Sequence, residues 1–145
     1  MNYIDIVRTK IGVPYADFCL SPAGAWLGGV LTEVREDGLT LQIPVRPEMC
    51  NPFGVLHGGM ASAMMDELMG ASLAICGGYT TWFTSVNLCV DFLNSGRAGD
   101  EVLVSAQIIR KGKNIAHIEA QIVRAADQKV LAKATTNMAN TFKNI

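Results

Sequence analysis

The run Met60-Ala61-Ser62-Ala63-Met64-Met65-Asp66-Glu67-Leu68-Met69-Gly70-Ala71-Ser72-Leu73-Ala74-Ile75 decides how this chain folds. It has no proline and little β-branching, and it is rich in Ala, Met and Leu, which favour helix. It is apolar nearly all round, so the expected helix is buried on most sides. Gly77-Gly78 marks its end. The anomaly lies at its centre, where Asp66 and Glu67 interrupt the apolar run. A carboxylate there is costly unless it is paired, hydrogen-bonded or near water. Adjacent helical residues point about 100° apart, so at most one of the two is expected to do chemistry.

Downstream, the period changes from helix to strand. Thr81 to Phe92 reads as one long strand. Asp100 to Arg110 is a second, with Val102, Val104, Ala106 and Ile108 on one face. Lys111-Gly112-Lys113-Asn114 turns it into Ile115 to Val123, and Ala126-Asp127-Gln128-Lys129 turns again into Val130 to Thr141. Strand runs separated in this way predict an antiparallel meander. Upstream, Trp26 to Val34 reads as a strand that Glu36-Asp37-Gly38 turns into Leu39–Ile43. Pro44, Pro47 and Pro52 then make a loop up to Gly54. Residues 1–25 hold a short helix from about Tyr3 to Lys10 and an irregular stretch from Gly12 to Gly24. The expected class is α+β: one domain over residues 1–145, a long central helix wrapped by a curved antiparallel sheet of about six strands.

Composition narrows the function classes. The chain has 145 residues, suited to a single domain. Half of them are apolar and 17% are charged, against roughly 25% in an ordinary soluble domain. Part of the surface is therefore expected to lie against another copy of the chain. Twelve basic residues against thirteen acidic ones argue against nucleic acid as the main partner. The first residues lack the basic and apolar pattern of a secretory signal, and no apolar stretch is long enough for a membrane span. Cys19, Cys50, Cys76 and Cys89 are widely spaced, with no metal-ligand pattern. They are expected to be reduced thiols in the cytoplasm.

The approach to the helix, Asn51-Pro52-Phe53-Gly54-Val55-Leu56-His57-Gly58-Gly59, carries the second chemical signal. Glycines at a helix start leave N–H groups open to an oxyanion, at the positive end of the helix dipole. They also serve plain turns, and His57 alone reads equally as a hydrogen-bonded structural residue. Geometry links this loop to Asp66. From a start near Gly58, Asp66 lies eight residues on, roughly 12 Å along the axis. One carbonyl cannot reach both groups on one helix, because hydrogen bonds span about 3 Å. A second chain with its helix antiparallel brings them together. A two-fold axis near Ser62, eased by Ala61 and Ala63, sets Gly58 of one subunit opposite Asp66 of the other. If both features are catalytic, the active unit is a dimer with two shared sites.

The pattern Asn51-x-x-Gly54-x-x-His57-Gly58-Gly59, with Asp66 nine residues after His57, resembles the hotdog-fold acyl-CoA thioesterases. The similarity is greatest to the PaaI-type branch of the 4-hydroxybenzoyl-CoA thioesterase superfamily, and it runs from about Trp26 to Phe142. It implies hydrolysis of an acyl-CoA to an acid and free coenzyme A. By this resemblance Asp66 is the nucleophile or general base, and the Gly58 N–H polarises the thioester oxygen. Asn51 and His57 help place the thioester or the water from the opposite subunit, and Ser85 orients water beside the carboxylate. Glu67 is read as structural or solvent-linked. The resemblance also implies a homotetramer built from two dimers, with no cofactor or metal beyond the coenzyme A thioester itself.

The chemistry is sound without a triad. A thiol of pKa about 8.5 leaves readily, so a base or nucleophile, an oxyanion donor and a placed water suffice. There is no Gly-x-Ser-x-Gly elbow, which argues against an α/β-hydrolase. Arg110, Lys111 and Lys113 form either a phosphate-binding cluster for coenzyme A or a solvated basic turn. Met60, Met64, Met65 and Met69 form either an adaptable acyl pocket or ordinary core, and Trp82 and Phe83 are candidate caps for the acyl group. The rival functions are a hydratase or dehydratase on acyl thioesters and a non-catalytic acyl-CoA-binding module. The acyl group and the choice between coenzyme A and an acyl carrier protein stay open at this level.

Overall fold

The computed structural model describes residues 2–142 and contains the expected layers. Three helices, α1 (Tyr3–Arg8), α2 (Pro22–Leu27) and α3 (Gly58–Cys76), accompany six strands. The strands are β1 (Val30–Arg35), β2 (Gly38–Pro44), β3 (Trp82–Phe92), β4 (Glu101–Lys111), β5 (Ile115–Arg124) and β6 (Val130–Phe142). They form one antiparallel sheet in the order β1-β2-β4-β5-β6-β3. The sheet wraps α3, which packs against β2 through β6.

The apolar run of α3 builds the core. Met64, Met65, Leu68, Met69 and Leu73 are fully buried against Leu41, Ile43, Val102, Val104, Ile118 and Ile122. In β5 the inward residues Ala116, Ile118, Ala120 and Ile122 alternate with more open ones, as strand periodicity demands. Val102, Val104 and Ala106 of β4 follow the same rule. Ile108 is only half-buried, and the pairing with β5 slips just beyond it, between Ile108 and Arg110.

Two expectations fail. Trp26 and Leu27 belong to α2, and the strand begins only at Val30. Ser21 caps α2 by accepting from the Gly24 N–H at 3.1 Å, with Pro22 at the first helical position. Gly28 and Gly29, at φ 76° and 86°, then break the chain out of the helix. A side chain at Gly29 would lie 2.6 Å from the Gln42 carbonyl.

The second failure concerns topology. Only β4, β5 and β6 form a meander, and β3 pairs with β6 at the sheet edge rather than with β4. The helix α3 carries the chain from β2 to the opposite edge. Residues 93–100 bring it back along one end of the sheet. There Leu56 N–H donates to Gly96, Leu93 N–H donates to Leu131, and Gly99 and Val45 close the return.

Candidate active site

The start of α3 is built locally. Asn51 Oδ1 accepts from the Phe53 and Val55 N–H groups at 3.0 and 3.1 Å. Gly54, at φ 74°, completes the turn. The His57 N–H donates to the Met49 carbonyl, and Leu56 is bridged to Cys50. His57 caps the helix, its Nδ1 accepting from the Gly59 N–H at 2.9 Å. With Nδ1 accepting, the ring nitrogen left to donate is Nε2. Gly58 is the first helical residue, so its N–H lies outside the helical ladder. It donates to no group among the described residues. The Phe92 ring packs on Gly58, so close that an added Cβ would lie 3.1 Å from it.

Farther along α3, the two carboxylates find different partners. Ser85 of β3 donates from Oγ to Asp66 Oδ1 at 2.7 Å. Tyr15 donates from its hydroxyl to Glu67 Oε1 at 2.9 Å. Tyr15 is 3% exposed. Burial, then the Glu67 charge, raises its pKa well above that of an ordinary phenol, so it stays a donor. Cys19, close by, is also pushed up by burial and by Glu67.

A cavity of about 380 Å³ opens beside these groups, a size suited to a small ligand. Asp66, Glu67, Gly70, Ala71, Ala74 and Ile75 of α3 form its floor. Trp82, Phe83, Thr84 and Ser85 of β3 form one wall, and Tyr15, Phe18, Cys19 and Leu20 form another. Tyr79, also in the wall, meets Trp82 with the rings tilted and 5.4 Å apart, and stands edge-on to Tyr3 at 4.8 Å. Among the described residues the wall holds two carboxylates and no Lys, Arg or His.

The remaining sequence candidates scatter. Asn51, His57 and Gly58 lie outside this cavity in the same chain, as the 12 Å argument requires. Trp82 lines it. Met65 does not: it is fully buried in the core, as are Met64 and Met69, because the helix face they occupy is the one the sheet covers. Arg110 and Lys113 share a separate hollow with His117 and Asn137. Lys111 parts from them, since alternate strand residues point to opposite faces. Its Nζ lies against Gly77, at the negative end of α3.

The N-terminal wall of the cavity is not announced by the sequence. Tyr15 meets Glu67 across 52 positions, and no local signal announces such a contact. The small residues Gly70 and Ala74, at helical spacing from Asp66, were the one available clue to open space on that face.

Among the described residues, no group of three or more His, Cys, Asp or Glu side chains is placed to hold a metal ion. No helix among them is long and apolar enough to cross a membrane. All four cysteines are free.

Comparison with known proteins agrees with the fold. Mouse (Mus musculus) acyl-coenzyme A thioesterase 13 is 21% identical over 132 residues, covering 91% of this chain and 89% of that protein. The structure of zebrafish thioesterase superfamily member 2 superposes with a TM-score of 0.80 at 17% identity, covering 97% of this chain and 99% of that one. The E. coli PaaI protein from the phenylacetic acid degradation operon gives 0.68 at 24% identity, covering 75% and 80%. The model of the Thioesterase superfamily matches residues 53–131, which include the Asn51–Gly59 loop from Phe53 onward, all of α3 and most of the sheet. With more than half its length matched and the fold shared throughout, the chain belongs to the thioesterase superfamily.

Proposed function

We propose that this protein hydrolyses acyl-CoA thioesters at two sites shared across a homodimer. The observation that carries the reading is the 2.7 Å hydrogen bond from Ser85 to Asp66 at the wall of the cavity. It uses Asp66 Oδ1, and Oδ2 has no hydrogen-bond partner among the described residues. That oxygen is the one to take a proton from water or to attack the carbonyl carbon itself. In the first route the hydroxide adds to the carbonyl carbon, the C–S bond breaks, and the proton taken up by Asp66 passes to the departing coenzyme A thiolate. In the second the thiolate leaves as an acyl-Asp66 anhydride forms; water then hydrolyses the anhydride to the acid, restoring the carboxylate and supplying the proton that the thiolate takes up. The unengaged Gly58 N–H of the second subunit stabilises the developing oxyanion. His57 Nε2–H and the Asn51 amide NH₂ are the remaining donors of that loop, since Asn51 Oδ1 is occupied.

The dimer rests on an open edge as well as on the 12 Å separation. β3 presents an unpaired backbone edge, and Val86 and Phe92 on it are 67% and 59% exposed. Such an edge favours pairing with another chain. Two dimers joined into a tetramer complete the proposed assembly, and free thiols throughout suit a reducing compartment such as the cytoplasm. Arg110 and Lys113 are the proposed contacts for the coenzyme A phosphates. Lys111, held against Gly77 at the end of α3, is not one of them.

The deciding experiment is free-thiol release from a panel of acyl-CoAs by wild type and Asp66→Ala, with oligomeric state checked. Release that falls at least a hundredfold in the variant, with the dimer intact, supports the mechanism. Binding without release from any substrate points to a binding module. Hydration of an enoyl-CoA without hydrolysis points to the hydratase chemistry.

A further inference from the structure

We propose that Glu67 and Tyr15 make the cavity selective for acyl groups that carry a hydrogen-bond donor, and against acyl groups that end in a carboxylate. This inference rests on the thioesterase reading and concerns the part of the cavity beyond Asp66.

Glu67 follows Asp66 on α3, and its side chain leaves the helix about 100° away. Both nonetheless line one cavity, because the segment holding Tyr15, Phe18 and Leu20 folds over the helix and closes the space between them. The Glu67 carboxylate is held from two sides. Its Oε1 accepts from the buried Tyr15 hydroxyl. The backbone of α2 presses on the same oxygen, since a Cβ at Gly24 would lie 2.3 Å from it. Oε2 has no hydrogen-bond partner among the described residues. A fixed carboxylate therefore offers one unused acceptor to whatever fills the cavity.

The surroundings make that acceptor consequential. The rest of the wall is largely apolar, and among the described residues no cation lines it. A plain alkyl chain filling this space strips water from Oε2 and gives nothing back. A hydroxyl on the chain restores the lost bond, and sites that hydrogen-bond a substrate hydroxyl discriminate strongly against analogues lacking it. A terminal carboxylate meets two like charges, Asp66 and Glu67, and no counter-ion.

The alternative role for the pair is a latch that merely ties the N-terminal segment to α3. The test separates the two. We would measure kcat/KM for hexanoyl-, 3-hydroxyhexanoyl-, 6-hydroxyhexanoyl- and adipoyl-CoA with wild type, Glu67→Gln and Glu67→Leu, and record Tm for each. Wild type is expected to prefer at least one hydroxylated ester over hexanoyl-CoA by tenfold or more, and to disfavour adipoyl-CoA by a hundredfold or more. Glu67→Leu should bring the hydroxyl preference within twofold of unity. Glu67→Gln should raise the adipoyl-to-hexanoyl ratio at least tenfold. Ratios unchanged in both variants, with hexanoyl-CoA still hydrolysed, overturn the inference and leave the latch. If no ester is hydrolysed, the thioesterase reading fails separately. The same three ratios to hexanoyl-CoA are then read as Kd by calorimetry, and an adipoyl-to-hexanoyl ratio that is equal in wild type and Glu67→Gln overturns the selectivity.

Discussion

The first turn of α3 and its middle are two regions of one helix held in opposite ways. The first turn is organised by its own neighbours. Asn51 bonds to Phe53 and Val55, and His57 bonds to Gly59. The middle is organised by remote segments, Ser85 from β3 and Tyr15 from the N-terminal region. The first turn thus presents the Gly58 N–H from a hydrogen-bonded loop whose side-chain contacts close within ten residues of sequence, with Gly96 and Phe92 only bracing it from outside. The middle presents side-chain carboxylates whose environment exists only in the folded molecule. The difference teaches that the end of this site proposed to hold the oxyanion is a local device and that the parts proposed for acid–base chemistry and acyl binding are tertiary ones.

The sharpest way to break the comparison is to delete the local device alone. Gly58→Pro removes the N–H at a position where helices accept proline. His57 already has the extended backbone, φ −63° and ψ 134°, that a following proline prefers. Because Phe92 crowds Gly58, the substitution is best made with Phe92→Ala. We expect kcat to fall roughly 10²- to 10³-fold against the Phe92→Ala background, as for loss of one oxyanion donor, with Tm retained. Gly58→Ala in that background keeps the N–H and should keep the rate. Equal rates for the proline and alanine variants would remove Gly58 from the mechanism.

The tertiary half is probed next. Ser85→Ala removes one hydrogen bond to a carboxylate and should lower kcat/KM roughly ten- to hundredfold. Hydrolysis rates within twofold of wild type would show that Asp66 needs no help from β3.

Tyr15 supplies a test by pH. An unfolded tyrosine ionises near pH 10, whereas in the folded chain burial and the Glu67 charge hold the proton beyond that. The unfolded state sheds its proton first. Stability is therefore intact below pH 10 and is lost as pH rises through the alkaline range toward the folded value. Tyr79, pushed up to about 12 by burial and then by Tyr3, adds in the same direction. Urea unfolding from pH 8 to pH 11 should show a steeper loss in wild type than in Tyr15→Phe. The variant should itself be about 1 kcal/mol less stable at pH 8. Parallel curves would mean that the phenol is not held as described.

The smallest effect is expected inside the helix. Ser72 Oγ is fully buried and has no hydrogen-bond partner among the described residues. Ser72→Ala should raise stability by about 1 kcal/mol, read from the urea midpoint. A loss of stability instead would reveal a bond within the helix that Ser72 makes and alanine cannot.

Much of this molecule is legible in its sequence. The helix over α3, its glycine-flanked ends, the β1–β2 hairpin and the β4–β5–β6 meander follow from periodicity and turn residues, which act over a few positions. The Asn51–Gly59 loop and the bare Gly58 N–H follow from the same local rules. Other features did not follow. Trp26 lies in a helix because Ser21 and Pro22 start one and Gly28 ends it, signals that its apolar neighbours obscured. Met65 reads alike as core or pocket, and only the sheet packed against it decides. Lys111 reads as one of three basic residues until strand alternation sends it to the end of α3. The edge position of β3 and the meeting of Tyr15 with Glu67 depend on chain crossings of tens of residues. Local sequence sets backbone propensity and which residues are apolar. Which distant side chain meets Glu67 is settled only when the whole chain buries α3, because that choice minimises exposed apolar surface for the fold as a unit.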